Sequence, residues 1–153
     1  MNTLKTLFIS AVAASCLFTQ VPTANAASIG AWFGKPTDSS TLSCWVQRTG
    51  HVPSQPDSLQ NTCGGAPPSW DMPLLVQNSG HTVTIMYEGA ATLSCTLFGL
   101  NQNGTISNQQ TATNGIFGQG TLSMNATVPN SGSLLLRCTP SQGAGLHAIN
   151  YNM

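Results

Sequence analysis

The sequence predicts an all-β protein: a single antiparallel β-sandwich of about seven to nine short strands braced by two disulfides. Three observations carry that prediction. Apolar and polar residues alternate with a period of two through most of the chain, the pattern of a strand with one face buried. Gly, Asn and Pro clusters separate the alternating runs, and nothing after residue 26 sustains a helical period over three turns. Four cysteines, Cys44, Cys63, Cys95 and Cys138, follow an N-terminal export signal, so the chain is expected where thiols oxidise. A small barrel is the alternative closure of the same strands.

Residues 1–26 read as a secretory signal peptide. Lys5 supplies the positive start, an apolar stretch runs from Leu7 to Phe18, and Ala24-Asn25-Ala26 is a small-residue cleavage site. The mature β-sandwich domain is then 27–153. The apolar stretch is too short for a membrane span, and no later one approaches the required length. No membrane insertion is expected after signal removal, and the protein is expected to be secreted or periplasmic. Ala13-Ala14-Ser15-Cys16 only loosely resembles a lipoprotein box, because it lacks the usual Leu three residues before Cys16.

Ile29, Ala31 and Phe33 share one face of a first candidate strand, and Leu42, Cys44 and Val46 of a second. Gly50–Pro73, rich in Pro and Gly, reads as an irregular excursion, and Met72–Gln77 as a short apolar strand. Val83, Ile85 and Tyr87 mark a strong strand, as do Leu93, Cys95 and Leu97. Asn101–Gly120 reads as a hairpin at Asn103-Gly104 plus a loop. Leu122, Met124, Ala126 and Val128 alternate next, then Leu134, Leu136 and Cys138, with Pro129-Asn130-Ser131-Gly132 expected to join the two as a hairpin. His147, Ile149 and Tyr151 form the last strand. Thr-Leu-Ser-Cys occurs at Thr41 and again at Thr92, but the flanking residues differ, so it reads as two similar strands and not a duplication.

Four cysteines allow three pairings. Cys44–Cys63 is preferred because it closes a Gly- and Pro-rich loop. Cys95–Cys138 is preferred because each thiol sits on the apolar face of a strand, linking two sheets or two neighbouring strands. In the loop-entropy account each bond contributes roughly 3–4 kcal/mol.

Composition excludes several functions. Beyond the signal, three cations (Lys35, Arg48, Arg137) stand against four acids (Asp38, Asp57, Asp71, Glu88), leaving one net negative charge. Scattered cations cannot make the basic stripe that nucleic acid requires. No C-x-x-C pair exists for zinc, and the acids are too dispersed for a calcium loop, so no metal is expected. Gly115, Gly118 and Gly120 lack a following Lys and a helix, and no cofactor is expected. Nor does the chain contain G-x-S-x-G, S-x-x-K or H-E-x-x-H, so no catalytic residue is assigned. Asn103-Gly104-Thr105 and Asn125-Ala126-Thr127 match the N-glycosylation pattern.

One segment concentrates the rare charges. Arg48, Asp57 and Asp71, with His51, fall between or beside Trp45 and Trp70. Aromatic faces stack on sugar rings, Arg and Asp bind hydroxyls, and a disulfide-pinned loop loses little entropy on binding. Non-enzymatic recognition of a glycan or another extracellular protein is the function this implies. The competing reading makes Trp45 and Trp70 a cap on one end of the core. Two other functions stay open: a secreted hydrolase using Asp71 and Glu88 or a His-containing cleft, and a structural or inhibitory module with no pocket. The exported protein is expected to begin at Ala27 and to leave no thiol for alkylation without reductant. Mass spectrometry that finds Met1 or four labelled cysteines contradicts this.

Overall fold

The computed structural model describes residues 26–48, 58–76, 79–89, 92–114 and 118–152. Within them the chain forms eleven strands: β1 (Ala26–Gly30), β2 (Lys35–Pro36), β3 (Trp45–Arg48), β4 (Ser58–Asn61), β5 (Trp70–Leu74), β6 (Ser79–Glu88), β7 (Leu93–Leu100), β8 (Ile106–Asn114), β9 (Gly120–Val128), β10 (Ser133–Pro140) and β11 (Gly145–Asn152). Two short 3-10 helices, η1 (Ala31–Phe33) and η2 (Ser39–Cys44), interrupt the first part. All pairings are antiparallel. One sheet runs β3-β4-β11-β6-β9, with β1 also paired to β11; the other runs β2-β5-β10-β7-β8. Residues from both sheets form one buried core, the sandwich expected from the alternation.

The strongest period-two runs lie where the alternation puts them. Val83, Ile85 and Tyr87 of β6, Leu93 and Leu97 of β7, Leu122 and Met124 of β9, and Leu134 and Leu136 of β10 all face the core. Burying a side chain of that size contributes about 1.5–3 kcal/mol. His147, Ile149 and Tyr151 of β11 are buried too, although a register shift between Leu146 and Ile149 interrupts the pairing with β6. Both expected disulfides form, Cys44–Cys63 and Cys95–Cys138. The second joins neighbouring strands of one sheet: Cys95 and Cys138 are cross-strand partners on β7 and β10.

Elsewhere the structure departs from the sequence reading. The first candidate strand stops at Gly30, and Ala31 and Phe33 lie in η1. Leu42 and Cys44 lie in η2, where Asp38 caps the first turn by accepting the Ser40 N–H at 2.9 Å. β3 then starts at Trp45, so Trp45 turns inward, while Leu42 is 61% and Val46 43% exposed. The bulk of the indole decides which face is buried. Gly50–Pro73 contains β4 and the start of β5. The Asn103-Gly104 hairpin forms between β7 and β8, with Asn101 Oδ1 accepting the Asn103 and Thr105 N–H groups at 3.0 Å. The segment after this hairpin is not a loop but β8, a strand with polar residues on both faces. Pro129–Gly132 is not a hairpin either: β9 and β10 belong to different sheets, so these residues turn a corner of the sandwich.

β8 and β9 are edge strands of opposite sheets, and they are closed against each other by side chains. Asn108 of β8 donates to the Thr127 carbonyl and accepts the Thr127 N–H, and Gln110 accepts the Asn125 N–H. Two amides thus satisfy backbone groups that an edge would leave bare. The approach depends on Gly99 of β7, where a Cβ would collide with the Thr127 carbonyl oxygen. Gly99→Ala is expected to destabilise the fold by about 1–3 kcal/mol, read as a lower urea midpoint at an unchanged slope.

Candidate functional site

The site is built outward from Trp70. The period-two pattern of β5 turns Trp70, Met72 and Leu74 into the core and Asp71 to the outer face. The Trp70 ring packs on that of Trp45, with centroids 4.8 Å apart and planes tilted by 52°. Both rings are nearly fully buried, at 6% and 9% exposure, so they fill the end of the core and present no open face. The Trp70 indole N–H has one more partner, the Ala31 carbonyl at 2.8 Å. That bond fixes η1, which also packs on β4 and β11.

With Ala31 held inside, the next two residues are pushed out. The Trp32 ring folds back over Gly30, where a Cβ would collide with it, and remains half-buried. Phe33 is 67% exposed. The two rings touch, with centroids 5.9 Å apart and planes at 34°. Rings in contact leave no slot between them, so the pair makes one bent apolar platform and not a clamp.

Beside the platform the outer face of the β5 sheet carries a row of charge. Lys35 of β2, Asp71 of β5 and Arg137 of β10 are register partners. Arg137 grips Asp71 with two parallel bonds, Nε to Oδ1 at 2.7 Å and a terminal nitrogen to Oδ2 at 2.8 Å. The guanidinium also lies 5.8 Å from the centre of the Phe98 ring. The hydrogen bonds from Arg137 hold the Asp71 carboxyl below its ordinary range despite partial burial, and the nearby Thr37 and Lys35 act in the same direction. The same bonds raise the Arg137 guanidinium.

The other expected residues are dispersed. Arg48 ends β3, exposed, opposite Ser58 of β4. His51 and Asp57 lie outside the described residues. Glu88 faces out of the β6 sheet, where its Oε2 is 3.2 Å from His147 Nε2 and its Oε1 accepts from Ser58 Oγ at 3.2 Å. Asp71 and Glu88 therefore lie on opposite outer faces of a sandwich whose layers are about 10 Å apart, and they do not share a cleft. Among the described residues no group of three His, Cys, Asp or Glu side chains converges to hold a metal. The sequence reading does not single out Trp32, yet one signal is present. Adjacent large aromatics cannot both face the core of one strand, so Trp32-Phe33 must break the alternation or expose a ring.

The comparisons bear on this geometry. No family model and no curated protein matches the sequence. The fold, however, matches solved carbohydrate-binding modules over nearly their whole length. A family 35 module from Clostridium thermocellum is 11% identical, with 84% of this chain and 98% of that one covered at a TM-score of 0.58. The C-terminal family 6 module of the laminarinase LamC from Zobellia galactanivorans is 11% identical, covering 84% and 100% at 0.56. A family 6 module of lichenase 5A from Cellvibrio mixtus, solved with cellotriose, is 12% identical, covering 83% and 96% at 0.54. At these identities the likeness is one of fold.

The Asp71 carboxyl titrates below its ordinary value of 3.8 in the folded chain, so the pair stabilises the fold above that pH. The contribution is lost as the pH falls through the lowered value. The wild type is expected to exceed Asp71→Asn in urea midpoint near about pH 6, with the gap closing as the pH drops below about 4. A gap that persists unchanged to about pH 2 contradicts the assignment.

Proposed function

We propose that this protein is an exported carbohydrate-binding module that recognises a glycan through the Trp32–Phe33 platform. The observation that carries the reading is an aromatic pair held outward by a buried hydrogen bond, on the sandwich fold shared with solved carbohydrate-binding modules. Two disulfides and the signal-like start support a secreted or periplasmic location, and no described helix is long and apolar enough to cross a membrane.

The physical argument is one of area and pre-organisation. A sugar ring has an apolar face of C–H groups that covers an aromatic ring, while its hydroxyls stay in water or meet polar neighbours. Trp32 and Phe33 lose few rotamers on binding because each is already packed, Trp32 on Gly30 and Phe33 on Trp32. Trp45 and Trp70 enter the proposal as supports beneath the platform. Arg48, exposed at the end of β3, enters it as a polar group for glycan hydroxyls; His51 and Asp57 are carried in the proposal from the sequence alone.

The test is affinity electrophoresis and calorimetry against soluble polysaccharides. The wild type is expected to bind at least one. Trp32→Ala combined with Phe33→Ala is expected to weaken binding by on the order of 2 kcal/mol, about thirtyfold in Kd, without changing the far-ultraviolet spectrum. Undiminished binding in that folded double variant rejects the platform as the site.

A further inference from the structure

An open cleft of about 570 Å3 lies at the other end of the sandwich. Its lining comes from three strands: Gly80–Thr82 of β6, Asn125–Thr127 of β9 and Asn108–Gln110 of β8. Thr82, Asn125 and Thr127 alternate with the buried His81 and Ala126, so their side chains face outward and β8 stands beside them as a wall. No Asp, Glu, Lys or Arg lines it.

The polar groups of this cleft are oriented by the fold. The backbone N–H of Asn125 can only donate, so it meets the Gln110 side-chain oxygen and leaves the Gln110 NH2 as the remaining end. Thr82 Oγ1 donates to Asn125 Oδ1 at 2.7 Å, which likewise leaves the Asn125 NH2. One bond across the sheet edge and one between paired strands thus leave two neutral donors among the residues that line the cleft, with Thr127 beside them. Donors without a cation favour neutral acceptors, because an anion placed here would be desolvated with no opposing charge. Amides already immobilised lose little entropy when a ligand arrives.

We propose that this cleft is a second binding site, taking the hydroxyl and ether oxygens of a neutral oligosaccharide. The choice of ligand class rests on the glycan reading above; the site itself does not need the aromatic platform. The platform lies toward the Tyr87 end of β6, since β1 enters η1 at Gly30, the register partner of Ala148, two residues from the Leu146 that pairs with Tyr87, and the cleft lies at the Gly80 end. Seven residues of strand separate the two ends, roughly 24 Å at about 3.4 Å per residue. Two weak sites at that distance can engage two stretches of one polymer or bridge two chains, raising avidity without any new contact.

Gly80 offers a clean test. A Cβ there meets nothing within 4 Å, and its backbone is outside the left-handed region, so Gly80→Leu occupies the cleft without strain. Calorimetry with cello-, xylo- and laminari-oligosaccharides is run on the wild type, on Trp32→Ala/Phe33→Ala, on Gly80→Leu and on the triple variant. Two sites are expected in the wild type, one in each of the first two variants and none in the triple. Complete loss in Trp32→Ala/Phe33→Ala, with Gly80→Leu unaffected, overturns the cleft and leaves the platform standing. Loss confined to Gly80→Leu upholds the cleft and rejects the platform, and no binding by the wild type rejects both.

Discussion

One hydrogen bond, from the Trp70 indole to the Ala31 carbonyl, decides what this molecule shows to its surroundings. Together with the packing of Trp45 on Trp70, it joins three parts of the chain that are separate in sequence. Trp70 belongs to one sheet, Trp45 stacks on it from the other, and Ala31 anchors the short helix between β1 and β2. A buried indole N–H usually finds a partner, and for Trp70, unlike Trp45, the partner is backbone that has no sheet to join. Meeting that need pins η1 against the sandwich and leaves Trp32 and Phe33 nowhere to go but outward. The same end is tied by the Cys44–Cys63 bond, which joins the residue before β3 to the segment after β4.

The rest of the molecule reflects a near absence of charge. Only 5% of the residues are Asp, Glu, Lys or Arg, so edges and corners cannot be guarded by lysines or ion pairs. Amides and hydroxyls take over. Asn108 and Gln110 cap the bare edge of β9, Thr82 and Thr84 of β6 bond across to Asn125 and Ser123 of β9, and Thr96 of β7 meets Thr111 of β8 at 2.9 Å. The one bidentate ion pair, Asp71–Arg137, is an exception among the described residues, and it sits flat on an outer face with an aromatic ring beside it. A surface of this kind matches partners that are themselves neutral and rich in hydroxyls.

The fold was legible where the two faces of a strand differ in chemistry. β6, β7, β9 and β10 carry apolar residues on one side and Ser, Thr or Asn on the other, and alternation alone placed them. β8 was not legible because both its faces are polar: its inward amides bond to another strand's backbone in place of packing. The Pro129–Gly132 corner could not be told from a hairpin, since the same turn residues serve whether the next strand pairs or crosses to the other sheet. The site was legible only in part. The sequence marks the Trp45–Trp70 pair and leaves open whether it caps the core, but the consequence for Trp32 and Phe33 depends on a hydrogen bond between residues 39 apart. The cleft was invisible for a related reason, because its wall is β8 and the Gln110 donor is oriented by a contact between edges of different sheets.

The pairing of β1 with β11 has a geometric consequence of its own. Ala26 lies opposite Asn152, so the first and last described strands run side by side, and Asn152 Oδ1 accepts the Thr82 N–H at 2.7 Å. Ala26 and Asn152, the two ends of the described chain, therefore share one patch, next to Gly80 and remote from η1. That patch borders the amide-lined hollow, while Trp32 and Phe33 lie at the far end of the sandwich, so the two surfaces are reached by solvent independently of each other.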